Sequence, residues 1–82
     1  MRKIKYIIID GYTPILFADH LIHSDVAAKH GGEVTGAGFC HIGGKDEYGN
    51  PQFVCYGESV SLNVRSQPSD SAIVNRAFGC EA

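Results

Sequence analysis

The chain has 82 residues, 44% of them hydrophobic and 20% charged, with seven Lys and Arg against nine Asp and Glu for a formal charge of -2. Such a length holds one domain with one small core, because it buries only about 60% of the surface that the unfolded chain exposes. The charge balance argues against a general nucleic-acid binder, which needs a basic surface to displace counterions from phosphates, and no apolar run approaches the ~20 residues that span a bilayer.

Taken in chain order, "KIKYIII" is rich in β-branched and aromatic residues and predicts a strand over Lys3 to Ile9. Ile4, Tyr6 and Ile8 share one face; Ile7 and Ile9 make the other face apolar as well, so this strand is central or is covered from outside a small domain. Lys3 and Lys5 are read as a solvated strand face rather than a phosphate patch. Asp10 interrupts the apolar run before a signal-peptide core forms, which leads to the expectation of a cytoplasmic protein. "DGYT" supplies turn residues, and Pro14 before "ILF" suits the start of a short strand.

"FADHLIHSDVAAKH" brings three of the four histidines together with two aspartates. A structural account covers most of it: Ser24 as N-cap, Asp25 in the first turn, a helix from Ser24 to His30, Lys29 and His30 at its negative end, and Gly31 as the left-handed stop. The competing account pairs His20 with His23 and adds Asp19 or Asp25 as a third metal ligand, with room for an activated water. With Ser24 as the cap, both histidines precede the helix, and the spacing no longer sets them on one helical face.

"HGGEVTGAGFCHI" predicts a second strand over Glu33 to Ile42, with Gly36 and Gly38 on one face, either packed under something or strongly curved. The polar segment "GGKDEYGNPQ" then reads as a loop between antiparallel neighbours. "QFVCY" and "SVSLNVR" read as a hairpin across Gly57-Glu58 in a type II′ turn, with Cys55 opposite Val60 and Phe53 opposite Leu62; a continuous strand kinked at Gly57 is the runner-up. Pro68 and Asp70 mark the start of a C-terminal helix, Ile73, Val74, Ala77 and Phe78 its apolar stripe, and Gly79 its stop.

The three cysteines, Cys40, Cys55 and Cys80, form neither an even disulfide framework nor CxxC pairs. Cys40 and His41 alternate across a strand, so the imidazole is badly placed to activate the thiol, and the thiols are read as small buried hydrophobes. "YGESVSL" lacks the GxSxG pattern, and "GEVTGAGF" lacks the spacing of a dinucleotide loop. No catalytic residue and no cofactor are therefore assigned.

The segments "HSDVA", "GAGF", "CYGESVSL" and "RSQPSD" resemble stretches of small uncharacterised bacterial proteins of the orphan or mobile-cassette gene type, over Lys3 to Phe78. That resemblance carries no established activity; it implies a compact cytoplasmic domain with no catalytic residue. "HGGEVTGAG" departs from it.

The expected fold is α+β: a single, mainly antiparallel sheet of four or five strands, a short helix, and a C-terminal amphipathic helix on one face. The second apolar face, with Ile7, Ile9, Val54 and Tyr56, then needs a cover, and a twofold homodimer is the simplest one. The expected function is a non-enzymatic binding or accessory protein acting as a homo-oligomer, with no nucleic-acid or membrane partner and a small-molecule ligand of unknown kind. Ser24, Asp25, Glu58 and Ser59, at the ends of elements, are its candidate binding residues. The alternative is a small metal-dependent hydrolase or metal carrier built on Asp19, His20 and His23.

Overall fold

A computed structural model describes residues 4–45, 47–49 and 51–79, except the side chains of residues 51, 78 and 79. The fold is α+β. Strands β1 (Ile4–Ile9), β2 (Thr13–Ala18), β3 (Val34–Lys45) and β4 (Pro51–Tyr56) form an antiparallel sheet in the order β2-β1-β3-β4. Helix α1 (His23–His30) connects β2 to β3, and a small hairpin of β5 (Glu58–Ser59) and β6 (Val64–Arg65) follows β4. Helix α2 (Asp70–Val74) continues directly into a π-helical turn, Asn75–Gly79.

β1 lies inside the sheet, with Tyr6, Ile7, Ile8 and Ile9 all buried. On one face Tyr6 and Ile8 pack with Cys40 and Val74, joined by Leu16, Phe53, Cys55 and Ile73. On the other, Ile7 and Ile9 pack with Val26 and Ala37, joined by Ala27, Leu62 and Val64. The Ile7 and Ile9 part of the face expected to need a second copy of the chain is thus covered by α1 and the β5-β6 hairpin, whereas Val54 and Tyr56, included in the same expectation, remain exposed. That removes the argument for a homodimer based on Ile7 and Ile9.

The β1-β2 connection follows its sequence. Asp10 (φ 54°) and Gly11 (φ 82°) take left-handed backbone at the two central positions of the turn closed by Tyr12 N–H to Ile9 O, as a type I′ turn demands. Asp10 also accepts from Glu33 N–H through Oδ1, tying this turn to the start of β3. Helix α1 starts one residue earlier than expected. Ile22 holds the N-cap position without a side-chain hydrogen bond; Ser24 lies inside the helix, its backbone N–H donating to Ser61 Oγ at 3.3 Å, so His23 is helical and His20 alone precedes the helix. Asp25, Lys29, His30 and Gly31 occupy the helix positions expected of them.

The segment after β4 departs from expectation. β4 pairs with β3 and not with residues 59–65, so Cys55 faces Cys40, and Phe53 faces Ile42. Gly57 (φ 81°) turns the chain out of the sheet, and Glu58 pairs with Arg65 around a turn in which Asn63 adopts a left-handed φ of 56°. Ser59 Oγ accepts from Leu62 N–H and meets Ser61 Oγ at 3.3 Å. This local hydroxyl–backbone bonding favours a turn over an extended strand. Leu62 and Val64 still reach the core, whereas Val60 sits at the turn, 86% exposed. The loop at 43–52 is also shorter than expected, since β3 runs on to Lys45 past an irregularity between Ile42 and Gly44.

The C-terminal helix begins at Asp70, two residues after the Pro68 expected to start it; Ser69 is the N-cap without a side-chain bond, and Asp70 closes the preceding turn, its N–H donating to Gln67 O and its Oδ2 accepting from Gln67 N–H at 2.9 Å. Ile73 and Val74 pack on the sheet, but the π turn shifts the phase of the stripe and Ala77 is exposed; the expectation for Phe78 lies outside the described side chains. Asn75 lies against the free edge of β4, accepting from Phe53 N–H through Oδ1 (2.7 Å) and donating from Nδ2 to Phe53 O (3.0 Å). Ser71 Oγ accepts from Cys55 N–H at 2.9 Å. Side chains thus occupy the edge that would otherwise recruit another strand.

Gly36 owes its place to Asp70. The buried Asp70 carboxyl accepts from the Tyr6 hydroxyl at 2.6 Å and occupies the space that a Cβ on Gly36 would take. Gly36→Ala should lower the stability to urea by roughly 1 to 3 kcal/mol, the usual cost of overpacking. In an Asp70→Ala background the same change should cost clearly less, a coupling that a double-mutant cycle would measure.

Candidate functional site

The sheet face carrying Ile7 and Ile9 is not covered along its whole length. Beyond the N-terminus of α1 it opens into a cleft of about 480 Å³ lined by Lys5, Ile22, His23, Phe39, Tyr56, Gly57, Glu58, Val60 and Ser61. Three elements build it. The sheet supplies the floor, with Lys5 and Phe39 as register partners on β1 and β3, and Phe39 and Tyr56 on β3 and β4. The start of α1 supplies Ile22 and His23, and the turn of the β5-β6 hairpin supplies Val60 and Ser61.

The aromatic floor is stacked. Phe39 and Tyr56 lie 5.9 Å apart with ring planes at 30°, and His41 leans on Tyr56 from the side at 5.4 Å. Gly57 makes this possible, because a Cβ there would stand 3.1 Å from the Phe39 ring and its positive φ already disfavours a side chain. Above the floor, Ile22 is 51% exposed and Val60 86%, so apolar side chains form the rim. Lys5 Nζ donates to Leu21 O at 2.7 Å, which holds the ammonium beside the cleft.

His23 forms part of the wall and is buried, with its Nε2 2.9 Å from Gly38 O. A carbonyl only accepts, so Nε2 carries the proton and the ring is held in one tautomer. Phe17 and Phe39 meet this ring edge-on at 5.4 and 5.9 Å. Burial depresses the His23 pKa below its ordinary value of 6.5, aided by the nearby Lys5 charge and opposed by the bond to Gly38 O. A neutral, aromatic-packed imidazole is a packing and orienting group in this arrangement.

The residues singled out in the sequence are distributed unevenly around this cleft. Glu58 lines it. Ser24 stands next to it, bonded through its N–H to the lining Ser61, while Ser59 is buried behind it in the hairpin turn. Asp25 is exposed on α1 and is not part of the lining. His20 is exposed whereas His23 is buried, and among the described residues no group of three or more His, Cys, Asp or Glu is arranged to hold a metal. Strand alternation grouped Tyr56 with Val54 on an apolar face in need of a cover, but Phe39 was not set beside it, because that depends on β4 pairing with β3.

The His23 shift has a sign that can be checked. A group with a depressed folded pKa binds protons more readily in the unfolded chain, so stability falls as pH drops through the ordinary histidine range. Urea midpoints should therefore decline from pH 7.5 to pH 6. His23→Gln, which keeps a donor for Gly38 O, should flatten that decline; an unchanged slope would place the pH dependence elsewhere.

Among the described residues no helix is long and apolar enough to cross a membrane. No protein-family model, no curated protein and no solved structure matches the chain.

Proposed function

We propose that this protein is a small cytoplasmic, non-enzymatic binding module whose cleft takes a compact ligand with a flat apolar body and one polar or charged group. The observation that carries this reading is the stacked Phe39–Tyr56 floor beneath an exposed apolar rim, with Lys5 and Glu58 at the same opening. The cleft volume falls in the range of ordinary small-molecule sites, which are largely apolar with a few placed polar groups. Exposed Ile22 and Val60 have no role in the core, and apolar side chains gathered around a concavity are the usual mark of an interaction site. Phe39 and Tyr56 would stack on the ligand's flat face, while the Lys5 ammonium or the Glu58 carboxyl would select its polar end.

Self-association is a second reading, supported by the same Ile22 and Val60 side chains rather than by the covered face of Ile7 and Ile9. Two copies could bury these rims against each other about a twofold axis.

Titration with anilinonaphthalene sulfonate, a flat aromatic probe bearing one anionic group, separates these readings when followed by amide NMR. Saturable binding should shift the signals of Ile22, Phe39, Gly57 and Ser61. Val60→Asp should weaken binding by about tenfold, whereas Tyr12→Ser, on an exposed turn outside the cleft, should leave it unchanged. Shifts scattered over the chain, or no saturation, would remove the ligand reading. A concentration-dependent dimer in native mass spectrometry that Val60→Asp abolishes would favour the second.

A further inference from the structure

On the opposite face of the same two strands, Cys40 and Cys55 are direct register partners. Their backbone geometry follows from hydrogen bonds already described. The N–H of Cys55 points away from β3 to Ser71 Oγ, and that of Phe53 points away to Asn75 Oδ1. Cys40 and Cys55 are therefore a non-hydrogen-bonded antiparallel pair, the kind with Cα atoms about 4.5 Å apart and side chains at their closest. Both cysteines are free thiols, Cys40 buried and Cys55 partly exposed. Both side chains lie on the sheet face that packs with Val74.

We propose that Cys40 and Cys55 form a reversible redox site, a dithiol that low-molecular-weight disulfides convert into a cross-strand disulfide. The Cα spacing lies at the short end of the disulfide range, about 4.4 to 6.8 Å, so the bond closes without moving the strands apart and is reopened readily by thiols. The two sulfurs have different roles. Cys55 is the one that solvent reaches, and the bonds it accepts from Cys40 and Ser71 favour its thiolate against the cost of burial and the nearby Asp70 carboxyl. The Cys40 thiol is held protonated by its bond to Cys55 and by burial.

The exchange balances with a disulfide RSSR as oxidant. Cys55 loses its proton to solvent, and its sulfur attacks one sulfur of RSSR, forming Cys55–S–SR and expelling the first RS⁻, which takes up a proton. Cys40 then gives up its proton, attacks the Cys55 sulfur and expels the second RS⁻, likewise protonated. The protein dithiol is oxidised by two electrons, and RSSR is reduced to two RSH. This departs from the expectation that the thiols are only packing groups, because the register sets the buried Cys40 directly against the partly exposed Cys55.

The test uses the full chain with Cys80→Ser, so that all thiol chemistry belongs to the pair. Oxidised glutathione under native conditions should lower the mass by two hydrogens and yield a Cys40–Cys55 cross-linked peptide, and reduced glutathione should restore both thiols. With Cys40→Ala, a glutathione adduct should accumulate on Cys55; with Cys55→Ser, Cys40 should be modified at least roughly tenfold more slowly. Should Cys40→Ala fail to fold, limiting iodoacetamide on the folded dithiol should label Cys55 ahead of Cys40 by a similar factor. Absence of the cross-link in the folded chain, or Cys40 reacting first, would overturn the proposal.

Discussion

The whole arrangement answers to β1. Four consecutive buried residues, Tyr6 to Ile9, alternate across a strand, so apolar side chains leave both faces of the sheet at its centre. A chain of this length has few elements to spare, and each face must be covered at a cost in ordered backbone. The solution divides the remaining elements: α2 lies over Tyr6 and Ile8, while α1 and the β5-β6 hairpin lie over Ile7 and Ile9. That division explains why the chain leaves the sheet at Gly57 instead of continuing as a hairpin partner of β4. A strand at 59–65 paired with β4 would have extended the sheet and left Ile7, Ile9 and Ala37 without Leu62 and Val64.

Covering β1 from both sides also creates polar obligations. Tyr6 carries its hydroxyl into the interior, where it meets Asp70 at 2.6 Å and Ser66 at 2.8 Å. Burial and the Asp70 carboxyl drive the Tyr6 pKa upward, so the phenol stays protonated as a donor. Asp70 in turn opens α2 and ties it to the preceding turn by accepting from Gln67 N–H, and Gly36 gives it room. One interior hydroxyl therefore joins the central strand, the start of the last helix and a glycine of β3 in a single constraint. The edge of β4 is handled in the same way, with the Asn75 amide standing in for a neighbouring strand.

The elements legible in the sequence were those defined by local chemistry. The β1 pattern, the Asp10-Gly11 turn, the Gly31 stop and the Asp70 helix start each depend on neighbours within a few residues. The close packing over Gly36 was foreseen from the cost of glycine in a strand, but its occupant, thirty-four residues away at Asp70, was not. Residues 59–65 misled because alternation of Ser with Val and Leu is equally compatible with a turn whose hydroxyls satisfy its own backbone. Of the residues singled out in the sequence, Glu58 lines the cleft and Ser24 stands beside it, its N–H bonded to Ser61. Tyr56 was read only as part of an apolar face in need of a cover, and Phe39 and Val60 were not singled out for a site, because a cleft is a property of pairing between strands and no local window contains it.

The β3-β4 register links the two chemistries of the molecule. Successive residues of a strand point to opposite faces, so the pairing that stacks Phe39 on Tyr56 in the cleft necessarily sets Cys40 against Cys55 beneath it. A slip of β4 by one residue would turn Cys55 to the cleft face and Tyr56 toward α2 while Phe39 and Cys40 stayed in place, breaking both pairs. Burial opposes such a slip, since Phe53 and Cys55 pack with Ile73 and Val74 on the face that α2 covers and would be turned away from it. The C-terminal helix thus does more than cover one face of the sheet. By burying one face of β4 it favours the register on which both the aromatic floor and the thiol pair depend.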